Sequence, residues 1–112
     1  LAMSSAASDV YKRQILMNET VFKNCKTLVC PDHLSAIKPD PEGILLGCKE
    51  LGMHPADCIY VGDHKKDLEA GINAGTSIIA CYFGYSLKPS DQNKNILGAH
   101  HPSELYDLIC QI

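Results

Sequence analysis

With 112 residues, 46% of them hydrophobic and 21% charged, the chain has an ordinary globular composition and the length of one domain at most, so a single modest core is all it can bury. A formal net charge of -3 provides no overall positive field for nucleic acid or an anionic membrane surface. No apolar run approaches the roughly 18 residues of a membrane span, and the first residues lack the apolar centre of a signal peptide, so a cytoplasmic protein is expected, with neither nucleic acid nor membrane as partner.

The chain opens on LAMSSAASDVYKRQ, small and polar and then basic, with no apolar period. Residues 4–14, SSAASDVYKRQ, resemble the in-frame translation of a transposase sequencing-library adaptor. Residues 1–14 are therefore expected to be a non-native, disordered segment, with native sequence beginning near Ile15. From Ile15 to Val21 the pattern is that of a helix end. Lys26 to Cys30, KTLVC, is a short apolar β-prone run closed by Pro31, and is predicted to be a buried strand.

A loop containing KPDP follows. Asp40 can cap the next helix and Pro41 suits its first turn, where a missing N–H does no harm. Ile44, Leu45, Cys48 and Leu51 recur on one helical face, and Gly52 can end the helix in a left-handed conformation. Asp57 to Val61 is the next predicted strand, broken by Gly62. A helix is expected from Lys65 to Ala74, stopped by Gly75, with Leu68, Gly71 and Ile72 toward the sheet. Ser77 to Cys81, SIIAC, is a third apolar strand. After a polar stretch from Ser86 to Asn95, Ser103 to Ile109 is expected to form a short helix with Ser103 as its cap. Strands alternating with helices of this length imply an α/β fold with a parallel sheet.

Six cysteines stand at 25, 30, 48, 58, 81 and 110, none in a CxxC pair and four inside apolar runs, where a free thiol packs as a small hydrophobe. Reduced core thiols are expected. CPDH, Cys30 to His33, has no second Cys/His pair at matching spacing and is read as a strand end entering a loop.

The chemistry concentrates in YVGDHKKD, Tyr60 to Asp67. In an open parallel sheet, ligands bind beyond the C-terminal strand ends, where helix N-termini offer N–H groups to anions. Asp63 lies two residues past a strand end, and Asp67 one helical turn further, so both carboxylates can face one spot. Such a pair suits magnesium, which accepts one or two carboxylates and keeps several waters. By themselves the two acids could equally be a helix cap and a first-turn acid complementing the dipole. Lys38, in a loop stiffened by Pro39 and Pro41, adds the cation that a phosphoryl-transfer site requires. His64 is expected to be a surface residue.

The run from Lys38 to Tyr85, KPDPEGILLGCKELGMHPADCIYVGDHKKDLEAGINAGTSIIACYFGY, resembles the C-terminal half of haloacid-dehalogenase-type phosphatases. Within them it looks like the phosphoglycolate phosphatase group, and LVCPDH and HPSEL are similar to the N-acetylmuramic acid 6-phosphate phosphatases. The resemblance covers essentially all of 15–112, as the C-terminal part of a Rossmann-like core domain. It implies a magnesium-dependent phosphoric monoester hydrolase acting on a small phosphorylated metabolite. Lys38 would hold the nucleophile and phosphoryl oxygens, Asp63 would ligate magnesium, and Asp67 would support the metal or its waters.

The family's aspartate nucleophile motif, its Ser/Thr motif and its cap domain have no counterpart in these 112 residues. The chain by itself is therefore expected to be inactive. In the family sheet two further strands lie between those of TLVC and CIYV, so a gap or re-pairing is expected there. The rival is a non-catalytic α/β regulatory or binding module using the acidic pair; a receiver-like domain would need a phospho-accepting aspartate at another strand end, and Asp32, flanked by Pro31 and His33, does not offer one.

Overall fold

The structure, a computed structural model, describes residues 2–4, 25–29 and 34–112. The strands are β1 (Ala2–Ser4), β2 (Thr27–Val29), β3 (Ile59–Gly62), β4 (Ser77–Cys81) and β5 (Leu97–Ala99). The helices are α1 (Glu42–Leu51), α2 (Lys65–Ala74) and α3 (Leu105–Cys110), with single 3-10 turns at Pro55–Asp57, Pro89–Asp91 and Pro102–Glu104. β3, β4 and β5 form a parallel sheet in that order, flanked by helices, which makes this an α/β fold. The expected helix end at Ile15 to Val21 and the CPDH loop lie outside the described residues.

Both longer helices stop as their glycines dictate. Gly52 at φ 67° donates to the Lys49 carbonyl while Met53 donates to that of Cys48, and Gly75 at φ 80° repeats the arrangement with Ile72 and, through Thr76, Gly71. These paired bonds satisfy the last helical carbonyls in a conformation that costs glycine no Cβ clash. At the start of α1, Asp40 accepts the Glu42 N–H at 2.9 Å, as a cap would, with Pro41 between them.

The core has two parts. Ile44 and Cys48 of α1 pack on Ala70 and Ala74 of α2, with Cys58 and Tyr60 against them. Leu68, Ala80 and Leu87 form the second cluster, joined by Ile78, Tyr82 and Ile96. Ile79, at the centre of the sheet, has no exposed surface, a burial that contributes roughly 1.5–3 kcal/mol.

Several expectations are corrected. Ile72 points to solvent at 58% exposure, because α2 meets β4 through its small residues: a Cβ on Gly71 would lie 3.0 Å from Ile78 Cγ1. Leu45 likewise lies on the outer side of α1's apolar face, where Ile44 and Cys48 are buried. β3 begins two residues later than expected because Pro55 turns the chain into a 3-10 turn capped by His54. At the C-terminus His101, rather than Ser103, caps the Pro102–Glu104 turn, its ring accepting the Ser103 N–H at 3.2 Å. β5 was not foreseen, since Leu97–Gly98–Ala99 carries little β signal until β4 offers it an edge.

β2 and β3 belong to separate sheets, and a cleft of about 350 Å³ lies beside α1, lined by Val29, Ile44, Cys48, Leu51, Cys58 and Tyr60 among others. β2 pairs instead with β1, in parallel register from Ala2 opposite Thr27 to Ser4 opposite Val29. The expectation of disorder for residues 1–14 is thus not met at Ala2–Ser4: an open strand edge presents unpaired N–H and C=O groups that any extended segment can satisfy. Residues 5–14 lie outside the described residues.

Candidate functional site

The site is built where β3 stops. A Cβ on Gly62 would lie 2.4 Å from Asp67 Cβ, so glycine is what lets the strand end pass under the first turn of α2. The chain bends through Asp63 and His64, and α2 begins at Lys65. His64 caps it: ring Nδ1 accepts the Lys66 N–H at 3.0 Å. Asp67 completes a capping box, its Oδ2 accepting the N–H groups of His64 at 3.1 Å and Asp63 at 3.3 Å.

The other oxygen of Asp67 receives Lys38. Nζ lies 2.7 Å from Oδ1, with the lysine side chain 45% exposed and that of the aspartate only 9%. Burial alone would lower the pKa of Lys38, but the hydrogen bond to Asp67 and the neighbouring Tyr60 hydroxyl and Asp67 charge outweigh it, and the ammonium is held above its ordinary range. Burial in turn pushes the Tyr60 phenol up.

The lysine loop is fastened to α1. The Glu42 carboxylate accepts from the Ser35 N–H and hydroxyl at 3.0 Å and from the Ala36 N–H at 2.7 Å, and these bonds hold its pKa below the usual glutamate value. Asp40 N–H donates to the Ile37 carbonyl at 3.0 Å, and Asn73 of α2 donates to the Pro39 carbonyl at 3.3 Å. The Lys38–Pro39 peptide bond is cis.

Asp63 is disposed differently. Its half-buried carboxylate turns toward the loop after β4, where a Cβ on Gly84 would fall 2.5 Å from both its Cβ and Oδ2. Its one hydrogen bond from the loop is the long Tyr85 N–H contact at 3.4 Å. Burial and the Asp63 charge raise the Cys81 thiol at the end of β4.

The three residues singled out in the sequence are therefore brought together, in unequal roles. Asp67 takes three protein donors and joins the lysine loop to the strand end. Asp63 keeps most of its acceptor capacity. A hard oxygen-seeking cation fits that donor set, with Asp63, the less engaged carboxylate, as the residue that would ligate it. Among the described residues no group of three or more His, Cys, Asp or Glu side chains could enclose a metal, so the protein part of such a shell would be sparse. Sequence reasoning gave Gly84 only as a loop glycine, since a lone glycine two residues before a polar stretch is indistinguishable from any turn, and placed His64 on the surface without its capping role.

The model of the haloacid dehalogenase-like hydrolases matches residues 1–81. The chain belongs to that family. The N-acetylmuramic acid 6-phosphate phosphatase of Pseudomonas aeruginosa is 43% identical over 88 residues, covering 75% of this chain and 38% of that protein. A phosphoglycolate phosphatase of Xylella fastidiosa is 36% identical over 61 residues, covering 54% of this chain and 27% of that protein. Among solved structures, a HAD-superfamily hydrolase from Ehrlichia chaffeensis superposes with a TM-score of 0.77 at 20% identity, over 98% of this chain and 49% of that one. This last likeness concerns the fold. The chain spans well under half the length of these curated relatives.

Proposed function

We propose that the chain supplies the lysine and acidic pair of a magnesium-dependent phosphatase that hydrolyses a small phosphate monoester, with N-acetylmuramic acid 6-phosphate as the preferred substrate. The observation that carries the chemistry is the convergence of Lys38 and Asp67 beside an Asp63 carboxylate that few protein groups engage. The substrate follows the nearer relative, 43% identical against 36% for the phosphoglycolate enzyme.

In this site Asp63 would hold the magnesium, and Asp67 would support it through water. The bound ion supplies charge neutralisation for the phosphoryl oxygens. Lys38, kept charged by Asp67, directs its remaining ammonium protons to a phosphoryl oxygen and stabilises the charge that builds there. Asp67 positions that lysine while it caps α2, so the cation and the Asp63 turn stay in register. The helix start at Lys65 contributes its N–H dipoles to the same edge. An aspartate nucleophile and the groups that select the sugar or acid come from sequence outside these 112 residues.

The cytoplasm, where thiols stay reduced, is the setting that suits the free cysteines among the described residues. No helix among the described residues is long and apolar enough to cross a membrane.

The test is phosphate release by the protein joined to the upstream half of its family's core, with and without magnesium, on N-acetylmuramic acid 6-phosphate and phosphoglycolate in parallel. Magnesium-dependent turnover favouring the amino sugar phosphate is expected. Preference for phosphoglycolate would overturn the substrate, and the absence of turnover on any phosphate monoester would overturn the enzymatic role.

A further inference from the structure

Two thiols share one apolar cluster and one cleft at the end of β3 opposite the acidic turn. Cys48, in the second half of α1, is buried with Ile44, Ala70 and Ala74, and Cys58, just ahead of β3, packs against that same cluster. Both line the cleft beside β2. They differ in access. Cys58 is half-buried and donates to the His54 carbonyl at 3.4 Å, at the rim formed by the Pro55–Asp57 turn. Cys48 is 6% exposed, and chiefly its burial pushes the thiol's pKa up to about 11. One sulfur is therefore reachable and the other sheltered, so a small oxidant meets Cys58 first and Cys48 follows only from within the cluster. The remaining described cysteines are placed otherwise: Cys25 donates to the Thr27 carbonyl, Cys81 ends β4, and Cys110 is exposed on α3.

We infer that Cys48 and Cys58 form a dithiol modification site that closes to an intramolecular disulfide when it meets a low-molecular-weight disulfide such as oxidised glutathione. Cys58 gives its proton to water and attacks one sulfur of the oxidant; the oxidant's S–S bond breaks and one glutathione thiolate leaves, taking up a proton. Cys48 then gives up its proton and attacks the Cys58 sulfur, forming the protein disulfide and expelling the second glutathione thiolate. Two protein thiols are oxidised by two electrons, and one small disulfide is reduced to two thiols. The new bond ties α1 to the start of β3 across the cleft. Lys38 precedes the far end of α1 and Asp63 follows the far end of β3, so the closure braces the frame of the site without touching it.

The inference stands apart from the proposed phosphatase activity and is tested without it. The whole 112-residue chain is incubated with oxidised glutathione, alkylated, and mapped by mass spectrometry without reduction. The expected product is a linked Cys48–Cys58 peptide, lighter by two hydrogen atoms than its reduced parts, with complete loss of alkylation at both positions and full recovery in dithiothreitol. In Cys48→Ser the glutathione adduct should persist on Cys58, and in Cys58→Ser no adduct should form on Cys48. Since either substitution falls in the core and could impair folding, the order of alkylation in the native wild-type chain serves as an independent measure, with Cys58 modified before Cys48. A stable adduct on wild-type Cys58 without linkage, a main product joining either residue to Cys25, Cys30, Cys81 or Cys110, or prior modification of Cys48 would each overturn the inference.

Discussion

Lys38 Nζ stands 2.7 Å from Asp67 Oδ1, although the two residues are 29 positions apart and lie on opposite sides of α1 in the chain. The second oxygen of the same carboxylate accepts the N–H groups that open α2. One buried aspartate thus fixes a loop, a strand end and a helix start against one another.

Replacing Lys38 with methionine leaves that carboxylate with backbone donors alone. Because the lysine side chain is 45% exposed and water screens the pair, Lys38→Met should destabilise the chain by only about 1 kcal/mol. Urea denaturation measures this, and an unchanged midpoint would mean that the capping bonds suffice for Asp67.

Methyl groups at the two close approaches should do more. In Gly62→Ala the added carbon would fall 2.4 Å from Asp67 Cβ, and in Gly84→Ala 2.5 Å from Asp63 Cβ, both too near for any side-chain adjustment alone. Each should cost roughly 1–3 kcal/mol through backbone displacement. Thermal unfolding of both variants, beside Gly43→Ala, whose nearest contact is a flexible leucine tip at 3.0 Å, separates this clash from a general loss of glycine.

Asp63→Asn is expected to abolish magnesium-dependent phosphate release by the completed enzyme while leaving the circular dichroism spectrum and unfolding midpoint unchanged, because its carboxylate carries little of the fold. Near-normal turnover in that variant would reduce Asp63 to a structural turn residue.

His64→Ala removes the acceptor for the Lys66 N–H at 3.0 Å. A lost N-cap costs typically about 1 kcal/mol. His64→Asn, which retains an acceptor, should recover most of the lost thermal stability; equal losses in the two variants would deny the cap its importance.

Alkaline pH should weaken the fold in steps. Cys48 is raised from 9.0 to about 11, chiefly by burial, and Lys38 is raised above 10.5, where the Asp67 hydrogen bond outweighs burial. In both cases the folded chain keeps a proton that the unfolded chain releases earlier, so the stability is whole below the unfolded value and falls as pH rises toward the folded one. Loss should begin above about pH 9 with Cys48 and continue above 10.5 with Lys38. Cys48→Ala should flatten the first part of a plot of unfolding midpoint against pH, and Lys38→Met the second.

The elements most legible in the sequence were those with local causes. The span Lys65–Ala74 was readable because Gly75 can adopt a left-handed conformation at little cost and because the polar turn after Gly62 marks a helix start. Ser77–Cys81 was readable from its unbroken apolar run. β5 was not, since three small or apolar residues become a strand only when β4 presents the matching row of donors and acceptors. Ile72 misled for a related reason: helical spacing defines an apolar stripe, but the width that is buried depends on how closely Gly71 lets the helix approach β4.

The chemistry divides along the same line. Residue types and spacing alone brought Asp63 and Asp67 to one strand end and put a lysine in the preceding loop, because helix periodicity and strand termination are local. Which oxygen holds Lys38, which carboxylate stays open, and which glycine makes room for it were decided only in three dimensions. Those answers depend on contacts among α2, the lysine loop and the loop after β4, and such contacts form only once the sheet has brought distant segments within hydrogen-bond range.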